Sequence, residues 1–165
     1  MLQQMLIGIG MGFAARIVFA AFDLAGEFIG AQMGLGFATF YDPLSSSQTP
    51  VIAEFYGLIA LLLFLSMNGH LLYFATLAQS FSAMPVGTTP LGSASWLNLA
   101  ELGSKIFSAG LLLALPVVVA LMITNVALAV LTRAAPQLNI FARGFPLTLL
   151  GGFVAIAISM NYLAR

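Results

Sequence analysis

RIVFAAFDLAGEFIGAQMGLGFATFYDPLSSSQTP, residues Arg16–Pro50, changes character halfway along. Its first half lacks proline and is apolar almost throughout, so it reads as a long helix. At 100° per residue, Asp23 lies about 20° to one side of Arg16 and Glu27 about 20° to the other, so the three charges share one narrow face. Gly12, Gly30 and Gly34 fall on the same side, and Gly26 lies about 60° from Asp23. Small residues let another helix approach closely, and ionised groups at membrane depth turn towards partners or water. Arg16, Asp23 and Glu27 are therefore expected to form a buried charged seam, pressed against other protein. The second half, from Tyr41 to Pro50, carries two prolines, three serines and an acid, and reads as a loop.

The whole chain resembles this stretch in composition. Of its 165 residues, 61% are hydrophobic and only 6% are charged. Soluble domains carry about 25% charge, so the class expected is an all-α, polytopic membrane protein. A net charge of zero argues against a nucleic-acid partner. The absence of cysteine excludes thiol chemistry and disulfides. The opening MLQQMLIGIGMG lacks a basic leader and a small-residue cleavage site, so it does not read as a signal peptide. It begins inside a hydrophobic helix, and further residues are expected upstream.

One domain over 1–165 is expected, with about four long hydrophobic helices or helical hairpins. The first spans 1–40. As one helix, Leu2–Phe40 would be about 58 Å long, roughly twice the hydrocarbon core. It must tilt, break or leave the membrane, and the weakest place is Gln32–Gly36, with two glycines. The loop 41–50 follows. Either it is a solvated connector, or the aromatic, glycine-rich residues before it (Leu35, Phe37, Phe40, Tyr41) fold it into a cavity. The second helix spans 51–81 and is interrupted by Asn68-Gly69-His70. His70 is the sole histidine, and with no cysteine it cannot make a metal site. It reads best as a hydrogen-bonded residue at a helix contact or membrane surface.

The third helix, 96–133, is again too long for one span. Glu101 and Lys105 stand four apart in the favourable order for a pair. Pro116 falls in an apolar run and should kink the helix, and Asn125 is placed to bond across to another helix. The turn RAAPQLNIFARG, Arg133–Gly144, carries arginines at both ends, and the positive-inside rule would place it in the cytoplasm. The fourth helix, 141–164, has Pro146 near its start and Gly151-Gly152 for close packing.

No catalytic signature is present: neither HExxH, GxSxG, nor a phosphate loop. Asp23 and Glu27, one turn apart, could form an acid–base pair, but Arg16 on the same face argues for ionised, structural carboxylates. No cofactor is expected.

Several runs carry a resemblance to a known family. They are Ala114–Leu121 (ALPVVVAL), Leu131–Phe141 (LTRAAPQLNIF), Glu27–Pro43 (EFIGAQMGLGFATFYDP), Gln48-Thr49-Pro50 and Asn68-Gly69-His70. Together they resemble the FliR family of type III secretion export-gate proteins, over its C-terminal two-thirds. The resemblance implies a non-enzymatic channel subunit in the bacterial inner membrane, at the flagellar basal body. It implies FliP-like and FliQ-like partner subunits, with FlhB-like and FlhA-like proteins, membrane lipid and unfolded export substrates. It further implies that a segment projects into the closed pore as a plug. In this sequence that segment is Gly34, Leu35, Gly36, Phe37, Phe40, Tyr41, Asp42, Pro43, Gln48, Thr49 and Pro50. The competing reading is a small-solute or ion-coupled secondary transporter, with Arg16, Asp23, Glu27 and His70 as an ion path.

Overall fold

A computed structural model describes residues 2–37, 50–83, 85, 93–134 and 140–163. Among these, every regular element is helical: α1 Leu2–Gln32, a 3₁₀ turn Leu35–Phe37, α2 Val51–Ser66, α3 Gly69–Ala83, α4 Ser93–Ala134 and α5 Ile140–Leu163. The all-α, polytopic expectation is met. By rise per residue α1 is about 46 Å long and α4 about 63 Å, both beyond the hydrocarbon core of about 30 Å. Gln4–Gln32 and Leu97–Ala134 are each long and apolar enough to cross a membrane. α2 and α3 meet at a 69° bend and would make a third crossing if they are one broken span.

The glycine pair after Gln32 ends α1, so the first helix stops short of residue 40. Met33 N donates to Ile29 O at 2.9 Å and Gly34 N to Ala31 O at 3.1 Å. Gly34 has φ 79°, the left-handed conformation that ends many helices and favours glycine. The unit 51–81 is two helices for a related reason. Met67 N donates to Leu63 O, and Asn68 then turns left-handed at φ 56°. Asparagine is among the few residues that visit this region readily. A Cβ on Gly69 would lie 2.5 Å from the Phe64 ring, and that ring packs edge-on against Phe19 of α1 at 5.6 Å. The bend is thus held by packing.

α4 is assigned as one helix through Pro116, which sits on its exposed side. The proline removes the amide that would have bonded the Leu112 carbonyl.

α1 is the element on which the others assemble. It packs on α4 and on α2, and α5 packs on α4. Its buried hydrophobic residues recur every fourth position, Ile17, Ala21, Ala25 and Ile29, and Met33 just past its end continues the series. α4 answers with Gly110, Ala114, Val117 and Leu121, at helical spacing. α2 answers with Ile52, Ala53, Tyr56 and Ala60. The contacts are close because the residues are small. A Cβ on Gly26 would sit 2.7 Å from Ala53 N and 2.8 Å from Ile52 O, and one on Gly110 would sit 2.9 Å from Ala21 O. Backbone-to-backbone approach of this kind drives helix association where surrounding lipid is as apolar as leucine.

The outward faces are oily. Leu62, Leu112, Ile123 and Leu150 are each about two-thirds exposed, and no residue of α3 is buried. Exposed apolar surface on this scale marks contact with lipid or other protein.

Candidate functional site

The end of α1 is where three helices converge. The last carbonyls of a helix lack intrahelical donors. Here Asn125 Nδ2 of α4 donates to Gln32 O at 3.3 Å, and Thr148 Oγ1 of α5 reaches Met33 O at 3.5 Å. The Thr148 hydroxyl also lies 2.9 Å from Phe145 O in its own helix, so its reach to Met33 is the weaker of the two. Met33 is wholly buried, and its side chain lies against Gly152 of α5, where a Cβ would sit 2.7 Å from its Cε. A cavity of about 480 Å³ opens beside these groups, lined among others by Gln32, Gly34, Asn125, Leu128, Phe145 and Thr148. Among the described residues no titratable side chain lines it, and its polar groups are backbone, amide and hydroxyl.

The residues expected to form a plug begin here. Gly34 makes the left-handed turn and Leu35, Gly36 and Phe37 the 3₁₀ turn. Pro50 caps the start of α2, its carbonyl accepting from Glu54 N at 3.0 Å. Phe40, Tyr41, Asp42, Pro43, Gln48 and Thr49 lie outside the described residues.

The small, charged face of α1 is shared out. Gly26 and Gly30 meet α2, whereas Gly12 faces open space. Arg16 and Glu27 are exposed, and Asp23 is half-buried, its carboxylate 3.1 Å from where a Cβ on Gly57 would stand. Among the described residues Arg16 forms no ion pair with Asp23 or Glu27. The reason is rise: residues seven and eleven apart share a face yet stand about 10 and 16 Å apart along the axis. Arg16 is thus not positioned to bind both carboxylates within the chain. Glu101 and Lys105 are likewise exposed and, among the described residues, unpaired with each other; a solvated pair is worth too little to hold two long side chains in place. His70 Nδ1 is enclosed and finds no hydrogen-bond partner among the described residues, so the expected bond is not met at that nitrogen.

The cross-helix bond expected of Asn125 is present, and Gly152 packs closely as expected. Thr148 carried no signal, because a threonine in an apolar helix usually bonds its own backbone.

A chain whose longest helices outrun a bilayer, and whose outer surfaces are hydrocarbon, is an integral membrane protein. Residues 1–165 match the family described as "Bacterial export proteins, family 1", and the chain belongs to that family. It is 50% identical over 162 residues to the "Flagellar biosynthetic protein FliR" of Escherichia coli (strain K12), covering 98% of this chain and 62% of that protein. The protein of the same name from Pectobacterium carotovorum subsp. carotovorum is 46% identical over 158 residues, 96% of this chain and 60% of that one. The one from Bacillus subtilis (strain 168) is 32% identical over 162 residues, 96% and 62% respectively. The chain therefore spans about three-fifths of the length of these curated relatives.

Proposed function

We propose that the chain is a structural subunit of the flagellar type III protein-export gate in the bacterial inner membrane, at the basal body. The observation that carries this reading is the family match along the whole chain together with 50% identity to a protein named for flagellar biosynthesis. The fold is in keeping with it. Helices with oily outer faces and exposed charges at Arg16 and Glu27 suit a protein that packs among others as well as in lipid. Its work is to line a conduit for unfolded polypeptides, with FliP-like and FliQ-like neighbours and with FlhB-like and FlhA-like proteins nearby. Arg16, Asp23 and Glu27 are contacts to those neighbours. The segment from Gly34 to Pro50 closes the conduit at rest.

Two experiments test this. Mild-detergent extraction should recover the chain together with FliP-like and FliQ-like subunits. A solitary, stable monomer that takes up a small solute in vesicles would replace the export reading with a transporter. Deletion of Phe37–Ser47 should raise ion leak and disturb export while co-purification persists; unchanged leak and export would remove the plug.

A further inference from the structure

We propose that Asn125, Thr148 and Gly152 act together as a clamp on the end of α1, and that these positioning residues fix the direction in which the chain leaves Gly34. One of the three contacts is unlike the helix-to-self bonds elsewhere in the chain. Ser66, Thr76, Ser104 and Thr124 each bond a carbonyl three or four residues back in their own helix. Asn125 instead reaches across 93 residues of sequence to Gln32 O at 3.3 Å. Thr148 stands between the two patterns: its one hydroxyl proton is shared between Phe145 O of its own helix at 2.9 Å and, across 115 residues, Met33 O at 3.5 Å. The third contact is steric. Met33 is enclosed, and the missing side chain at Gly152 is what makes room for it.

The position of the clamp gives it a consequence. Gly34 is the next residue, at φ 79°, and a glycine can rotate freely out of that conformation. Losing Asn125 and Thr148 would remove the side-chain donors that, among the described residues, reach the carbonyls of Gln32 and Met33, and in an apolar medium that favours rewinding or fraying of the last turn. The Asn125 bond, the longer Thr148 contact and the enclosed Met33 side chain together hold the turn in one arrangement. The functional meaning of the clamp rests on the plug reading of Gly34–Pro50; its existence does not.

The test uses the intact protein in detergent and reads backbone amide exchange in the segment 31–37. In the double variant Asn125→Leu, Thr148→Val, exchange there should quicken on the order of tenfold, with Ala114–Leu121 of the core unchanged. Unaltered exchange in 31–37, or an equal rise everywhere, overturns the clamp. If that variant does not fold, Gly152→Ala serves: it should quicken the same segment, because its Cβ meets the enclosed Met33 side chain. Gly152→Ala with no local effect overturns the clamp equally. Ion leak measured on the same variants separates the two proposals. Faster local exchange with raised leak supports both, whereas faster exchange with no leak keeps the clamp and removes the plug.

Discussion

Gly26 and Gly12 lie on one side of the same helix, and their surroundings differ completely. At Gly26 a Cβ meets the backbone of Ala53, which cannot swing aside. At Gly12 it meets nothing within 4 Å. Gly26→Ala should therefore lower stability by about 1–3 kcal/mol, whereas Gly12→Ala should raise it by about 0.5–1 kcal/mol through helix propensity. Thermal unfolding in micelles followed by circular dichroism reads both. Equal effects would mean that α1 and α2 are not in backbone contact. Tyr56 gives a second prediction at this scale. Its hydroxyl is enclosed and finds no partner among the described residues. The Ser159 hydroxyl lies beside it and donates to Ile156 O at 2.9 Å. An unsatisfied buried hydroxyl costs about 1–3 kcal/mol, so Tyr56→Phe should keep or raise the unfolding temperature. A clear loss would show that the hydroxyl is bonded after all. Tyr56 drew no notice in the sequence, because a tyrosine in an apolar run gives no hint of whether its oxygen has a partner.

At the scale of elements, the α2–α3 bend makes the sharpest prediction. Asn68 stands left-handed and Gly69 is closed in by Phe64, itself held by Phe19. Asn68→Gly should be tolerated, and Asn68→Val should cost about 1–2 kcal/mol, since a branched side chain clashes in that conformation. Gly69→Ala should also destabilise, and Phe64→Ala should relieve it by vacating the space. If Gly69→Ala is silent alone, Phe64 does not set the bend. Both breaks, at Gln32–Gly36 and at Asn68-Gly69, were legible because glycine and asparagine carry a backbone preference wherever they occur. That the second break bends by 69° was not legible, since an angle between two helices depends on what packs around the break and not on the two residues in it.

For the molecule as a whole, the question is what the exposed surfaces meet. Arg16 and Glu27 are exposed, whereas Asp23 is half-buried beside Gly57 of α2, so Glu27→Lys should leave helix content intact while lowering the yield of the complex with partner subunits. Adding Arg16→Asp should recover part of that yield if these charges act through shared neighbours. A complex formed at normal yield by Glu27→Lys would exclude the charged face as an interface. The sharing of one helical face was visible from angles alone, but contact was not, because angular position ignores the rise that separates residues 16 and 27.

Membrane residence, helical class and the places where helices must stop were settled by composition and by local backbone preference. Those are properties of each residue and its near neighbours, and no fold is needed to express them. Which glycines admit another backbone, which polar side chains reach across to the end of α1, and which charges stay outside depend on elements brought together from about a hundred residues apart. Such pairings exist only once α1, α4 and α5 have packed, because close packing and hydrogen bonding are satisfied between segments and not within them.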